Sequence, residues 1–399
     1  MKHVIVILDG ASGEPVPGLG GLTTLEAAFT PHLDALAQEG RVGLAFHVPP
    51  GMEPSSNVAC TSIVGFDPSD YPIGRGALEL SALGVELADD EVALRANLCH
   101  VSPEGIMVSY SCDNISNSDG HALAEELKAA LDDDQCTLYK GTGFRQYLVV
   151  KGHPGLMGTE MAAAHNITDL NIADFPPTGP EAEFISDYMR RANKALAESA
   201  TNATRIAEGK MPATNLMCFW PGQRPSGMPA FADVYKVQAA LNSGVDLLAG
   251  IAALTGIHRY DIPGVTDGPD NDYAAQGEGA LSMLADYDVV FVHVESPDAE
   301  GHDGNIEGKK SAIEAIDREI ISRIRAYAKS NPLRILALPD HPTPVIGKRH
   351  TADPVPFVMA GPGIEANPGS RLTEAEGAAS GLRIDPGFEL LGYFLDSKG

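Results

Sequence analysis

The chain has 399 residues, 44% of them hydrophobic and 21% charged, and its 28 Lys and Arg against 54 Asp and Glu give a formal net charge of −26. That length buries a sizeable core, as one large domain or as two. So acidic a surface excludes nucleic acid as an expected partner, because binding to polyphosphate backbones rests on Lys and Arg neutralising phosphates. An anionic substrate must instead meet local positive charge.

The opening apolar run, Val4 to Leu8, is too short for the apolar region of a signal peptide, and nothing elsewhere approaches the ~20 apolar residues of a membrane span. No membrane partner is therefore expected. Cys60, Cys99, Cys112, Cys136 and Cys218 are odd in number, widely spaced and free of any CxxC pair, which predicts a reducing, cytoplasmic setting. Oligomeric state is left open.

Val4 to Leu8 reads as a buried parallel strand that stops at Asp9, and Pro31 to Glu39 follows as a helix. In PGMEPSSNVACTS, residues 50 to 62, a Pro- and Gly-containing loop leads into a helix from Val58, with Ser55 and Ser56 at its amino end. A serine there caps a helix or, in the same geometry, accepts a phosphoryl group that backbone N–H groups stabilise. Between about Arg95 and Val150, short strand-like runs surround one helical stretch, His121 to Leu131, as in a small α+β unit. The acidic run Asp132 to Asp134 reads as a solvated helix end. DFPPTGP, Asp174 to Pro180, reads as a hinge. The expected division is a core of residues 1–86 and 181–399 and an inserted domain of residues 87–180.

Further along, helices are predicted over Val237 to Leu254, Ala274 to Ala285 and Glu307 to Ala328, and buried strands over Val289 to Val294 and Ile335 to Leu338. The expected fold class is α/β, a mainly parallel sheet flanked by helices. Ligands of such sheets bind at the carboxyl ends of strands. There the chain places Asp9, then Asp298 and His302 four residues apart, then adjacent Asp340 and His341, then His350. Three carboxylates and three imidazoles offer mixed O/N ligation suited to Mn, Zn or a similar divalent ion, and more ligands than one ion needs. Two metals are implied. Glu295, Asp303 and Asp353 rank below these six, and His293, inside its strand, reads as packed. P-loop, HExxH, GxSxG and GxGxxG motifs are absent from the sequence.

ILDG, SSNVACTSIVGFDP, IGRG, VHVESPDAEGHDG, LPDHPTP and KRHTADPVPF, with the intervening ATNLMCFWPGQRP, resemble the archaeal-type 2,3-bisphosphoglycerate-independent phosphoglycerate mutases of the alkaline phosphatase superfamily. The resemblance covers nearly the whole chain. It implies an alkaline phosphatase-like core and a transient phosphoserine, with Ser56 preferred to Ser55. It also implies one metal on Asp298, His302 and His350, and another on Asp9, Ser56, Asp340 and His341, commonly manganese, with Zn, Co or Mg as alternatives. The implied reaction interconverts 3-phosphoglycerate and 2-phosphoglycerate without a bisphosphorylated cofactor. Arg75, Arg145, Arg224 and Arg349 are the candidates to grip a small phosphorylated carboxylic acid, since guanidinium groups bind such anions bidentately. The alternative reading is a metal-dependent phosphohydrolase or another phosphotransferase, of homoserine kinase type. The chain departs from the family pattern at Asn57, where an acidic residue usually follows the nucleophile, and at SCDNIS, residues 111 to 116, which lacks a cation.

Overall fold

The computed structural model describes residues 1–71, 73–224, 227–367 and 369–396. The chain forms two compact units, Met1–Pro72 with Gly227–Gly399, and Ile73–Ser226. Strands β1 (Lys2–Leu8) and β2 (Arg41–Ala45) belong to the larger unit. Strands β3 (Glu91–Val101), β4 (Met107–Ser109), β5 (Cys136–Lys140), β6 (Arg145–Lys151) and β7 (Asn215–Gly222) form the smaller one. The chain then returns to the larger unit with β8 (Ala239–Asn242), β9 (His258–Arg259), β10 (Val289–Val294), β11 (Leu333–Leu338), β12 (Val355–Ala360) and β13 (Arg383–Ile384).

Among the described residues the larger unit has an eight-stranded sheet in the order β13-β2-β12-β11-β1-β10-β8-β9. The run from β11 through β1 and β10 to β8 and β9 is parallel, and antiparallel β12 joins it to β2. β1 is central because almost every residue of KHVIVIL is buried, and apolar residues at consecutive positions suit a strand covered on both faces. Val4, Val6 and Leu8 share one core with Val290, Val292 and Val294 and with helix residues Leu33, Leu36, Met283, Ile313 and Ile320. On the opposite face Phe291 meets Phe231 edge-on, with ring centroids 6.0 Å apart.

The predicted helix Glu307 to Ala328 is observed as consecutive α, π and α segments, Ile306–Ala315, Ile316–Ile321 and Ser322–Ala328. Within the wider turn, buried Asp317 accepts the backbone N–H groups of His32 (3.2 Å) and Leu33 (2.6 Å). It thereby caps the helix Pro31–Glu39, whose own N-cap Thr30 makes no side-chain cap. The helix expected over Val237 to Leu254 is instead strand β8 followed by a helix from Asp246 to Thr255. Ala239 to Asn242 favour a helix locally, but pairing with β10 overrides that propensity.

In the smaller unit β6 and β7 flank β3, β5 pairs with β6, and every pairing is antiparallel. Its limits differ from the expected 87–180 on both sides. The helix Arg75–Ala82 packs on β3 and β7, and β7 itself pairs with β3, so residues assigned to the core belong to this unit. DFPPTGP is no hinge. Thr178 exchanges backbone hydrogen bonds of 3.0 and 2.9 Å with Glu160, within the same unit. At the centre of the unit Arg95 donates two hydrogen bonds of 2.6 Å to buried Glu79, which also receives Arg75 Nε at 2.9 Å. Burial by itself raises the Glu79 carboxyl, and the two guanidinium groups outweigh it and hold it below the usual range.

His3, on β1 at the end away from Asp9, is buried against the edge of Phe394. Burial, reinforced by Arg334, lowers its imidazole from 6.5 to about 4. Above 6.5 the folded and unfolded chains both carry it neutral. As the pH falls from 6.5 to about 4, the unfolded chain takes up a proton that the folded chain refuses, so stability falls across that window and the loss saturates below it. The urea midpoint of the wild type is therefore expected to fall more steeply over this window than that of His3→Leu. Parallel profiles would contradict this assignment.

Candidate active site

Because β10, β1 and β11 are adjacent and parallel, their carboxyl ends lie at one edge of the sheet and their following residues converge. Asp9 N–H donates to Val294 O at 3.0 Å, which sets Asp9 beside the end of β10. Gly10 adopts φ +60°, and a Cβ there would stand 2.5 Å from Asp298 Oδ1 and 2.6 Å from Thr343 Oγ1. Only glycine permits that approach. Gly10 N–H and His341 N–H donate to Asp340 Oδ1 at 3.0 and 2.7 Å, which leaves Oδ2 to face the site. The helix Ser296–Asp303 starts directly after β10, with Pro297 in its first turn, and its pitch puts Asp298 and His302 on one face.

All seven residues expected at the site, Asp9, Ser56, Asp298, His302, Asp340, His341 and His350, are brought together within the larger unit. His302 Nε2 lies 3.3 Å from Asp298 Oδ2, His350 Nε2 lies 3.3 Å from Asp298 Oδ1, and the two Nε2 atoms are 2.8 Å apart. His302 Nδ1 faces Lys348 O at 3.1 Å and His350 Nδ1 faces Pro54 O at 3.1 Å. Carbonyl oxygens only accept, so each ring hydrogen is spent at Nδ1 and each Nε2 turns a bare lone pair toward the other. Two such lone pairs require something positive between them. Ligand atoms about 2.1 Å from one divalent ion stand ~3.4 Å apart at tetrahedral angles, close to the spacing seen here.

His341 follows the same logic. Thr343 Oγ1 donates to Asp298 Oδ1 at 2.5 Å and so accepts His341 Nδ1–H at 3.3 Å, leaving His341 Nε2 bare. That nitrogen stands 3.2 Å from Asp340 Oδ2, 3.7 Å from Asp9 Oδ1 and 3.2 Å from Ser56 Oγ. Asp9 Oδ1 is buried with no hydrogen-bond partner, which suits a ligand atom for a cation. Asp298, His341 and His350 form one group able to hold an ion, and Asp9, Asp340 and His341 a second. Ser56 opens the helix Ser56–Ile63, directing its hydroxyl at His341, whereas Ser55 Oγ donates back to Glu53 O at 3.3 Å.

Burial, together with the carboxylates of Asp340 and Asp298, pushes the Asp9 carboxyl well above its usual range. Burial acts the same way on Asp298, but the neighbouring imidazoles of His302 and His350 win and hold it well below. The Asp298 contact raises His302, and burial lowers His341.

Two residues ranked lower from sequence belong here. His293 Nε2 lies 2.6 Å from Asp9 Oδ2 and 3.7 Å from Glu295 Oε2, and with Asp9 they form a third candidate group. The only sequence signal was a polar residue inside an otherwise apolar strand. Asp303 and Asp353 take no part in the candidate groups. Arg75, Arg145 and Arg224 lie in the smaller unit, where Arg75 stacks 4.2 Å over Trp220 and Arg145 4.7 Å over Phe144. Arg224 is exposed, as is Arg349 beside His350 in the larger unit.

Residues 37–202 match the family described as 2,3-bisphosphoglycerate-independent phosphoglycerate mutase. The Methanosarcina barkeri enzyme of that name is 37% identical over 401 residues, covering 100% of both chains. A solved protein of Pyrococcus horikoshii superposes with a TM-score of 0.82 at 27% identity, over 99% of this chain and 96% of its own. The cofactor-independent phosphoglycerate mutase of Thermoplasma acidophilum shares the fold, with a TM-score of 0.65 at 24% identity over 100% of both chains. On the full-length identity to these relatives and the agreement of fold, the chain belongs to the 2,3-bisphosphoglycerate-independent phosphoglycerate mutases.

Proposed function

We propose that the chain interconverts 3-phosphoglycerate and 2-phosphoglycerate through phosphorylation of Ser56 beside two divalent cations, with manganese the first choice. The observation that carries the reading is the convergence of bare imidazole lone pairs and buried carboxylates, with the Ser56 hydroxyl 3.2 Å from one of those lone pairs, on His341 Nε2. Asp298, His302 and His350 would hold one ion, and Asp9, Asp340, His341 and Ser56 the other. Bound there, the pair would lower the pKa of the serine hydroxyl and neutralise charge on the phosphoryl oxygens.

The remaining work falls to the chain. Ser56 Oγ forms a bond to phosphorus as the C–O–P ester of the glycerate breaks, the serine proton is lost and the departing glycerate oxygen gains one. In the return step the other glycerate hydroxyl takes the phosphoryl group and Ser56 regains its proton. The N-terminal end of the helix Ser56–Ile63 favours the phosphorylated form, because the positive end of its dipole attracts the added negative charge. Arg75, Arg145, Arg224 and Arg349 are assigned to the carboxylate and phosphate of the substrate. Five unpaired thiols and the absence, among the described residues, of any helix long and apolar enough to cross a membrane support a cytoplasmic assignment.

Incubation of the Mn-loaded protein with 3-phosphoglycerate is expected to yield 2-phosphoglycerate with little inorganic phosphate, and Ser56→Ala to lose at least ~10³-fold in kcat and all protein phosphorylation. Predominant release of inorganic phosphate would identify a hydrolase instead. Chelation is expected to abolish turnover and Mn to restore it, while Asp340→Ala should reduce bound metal below the two ions per chain expected of the wild type. Wild-type metal content well under two, measured by elemental analysis, would refute the two-ion reading.

A further inference from the structure

The imidazole of His293 differs from those of His302, His341 and His350 in where its hydrogen resides. Its Nε2 stands 2.6 Å from Asp9 Oδ2, a separation that requires a hydrogen between the two atoms, and a carboxylate that ligates a cation is ionised and has none to give. The hydrogen therefore belongs to Nε2, and Nδ1 is the acceptor. Nδ1 lies 2.9 Å from Ser243 Oγ, and Ser243 Oγ in turn accepts Val245 N–H at 3.0 Å, so its own O–H is free to point at the ring. The chain of donors runs from Val245 N–H to Ser243, from Ser243 to His293, and from His293 to Asp9.

We infer that His293 is a positioning residue that occupies Asp9 Oδ2 and thereby presents the unpartnered Oδ1 to a cation, rather than being a metal ligand itself. Three observations support this. The topology builds it in: β1, β10 and β8 are consecutive in the sheet, His293 is in register with Ile7 and so faces the same side as Asp9, and Ser243 follows the last residue of β8. The ring is fully buried and its backbone is anchored, since Gln276 Nε2 donates to His293 O at 2.8 Å and to Asn242 Oδ1 at 2.9 Å, while Asn271 donates to Gln276 Oε1 at 2.9 Å. Finally, the two Asp9 oxygens are distinguished: Oδ2 holds the 2.6 Å contact, and Oδ1 has no hydrogen-bond partner and lies 3.7 Å from His341 Nε2. A carboxylate so held keeps one oxygen aimed, and outer-shell partners of this kind sustain metal affinity by ~10- to 100-fold.

The inference rests on the two-ion reading, and titration of the metal-free protein with Co2+, followed by visible absorption and calorimetry, separates the two. Wild-type protein binding fewer than two ions refutes that reading and this inference with it. Given two ions in the wild type, His293→Leu is expected to weaken one of them ~10- to 100-fold and leave the other unchanged, with the absorption of the weakened site altered. His293→Gln, which retains a donor near the position of Nε2, should recover most of that loss. Ser243→Ala, which leaves the imidazole in place, should weaken the same ion by about threefold or more and serves as the test should His293→Leu fail to fold. Unchanged affinities for both ions in a folded His293→Leu, or in Ser243→Ala where His293→Leu does not fold, would overturn the inference. So would a fall in metal-free thermal stability with unchanged affinities, which would mark His293 as structural only.

Discussion

Three buried carboxylates meet at one end of a parallel sheet, and their mutual repulsion is the constraint around which the larger unit is organised. Asp9, Asp298 and Asp340 are almost wholly removed from water, yet each is held in place by specific donors. Asp340 takes two backbone N–H groups, Asp298 takes the Thr343 hydroxyl, and Asp9 takes His293. Burial of a charge without compensation costs several kcal/mol, so the arrangement has a purpose only where positive charge completes it. The unspent lone pairs of His302, His341 and His350 mark where that charge belongs.

A further donor works from beneath. Lys309 is fully buried and its ammonium donates to Ser12 O at 3.0 Å and Thr343 O at 2.7 Å, tying the loop after β1 to the loop after β11. Burial lowers its pKa to about 8, while Asp298, Glu374 and Asp9 act in the opposite direction. The same side chain thus fastens two of the site's loops and adds positive charge on their inner side. Structural and electrostatic roles coincide in this one side chain.

The smaller unit solves a different problem with the same physics. Its antiparallel sheet buries a Glu79–Arg95 pair in which both carboxylate oxygens are matched by guanidinium hydrogens, and Arg75 shares the acceptor. Arg75 is therefore tied both to Glu79 and to the face of Trp220. An arginine so restrained loses little further freedom on meeting an anion.

The sequence by itself determined the element types around the site, because Val- and Ile-rich runs ending in Asp9, Glu295 and Asp340 are legible as strands that carry acidic groups to one edge. It also determined the seven converging residues, whose chemistry and spacing repeat a recognisable family pattern. What it left undecided was everything set by pairing between distant segments. Ala239 to Asn242 became a strand because β10 offered a partner, and the helix Arg75–Ala82 joined the smaller unit because β3 and β7 offered a surface. The choice of Ser56 over Ser55 was favoured by pattern, but the direction of each hydroxyl was a matter of helix position. His293 is the sharpest case. Within its strand it is one polar residue among valines, and only the lateral neighbourhood of β1, β10 and β8 shows that its ring bridges Asp9 and Ser243. Local pattern records which face a side chain occupies, whereas hydrogen-bond partners across a sheet depend on strand order, which no local pattern contains.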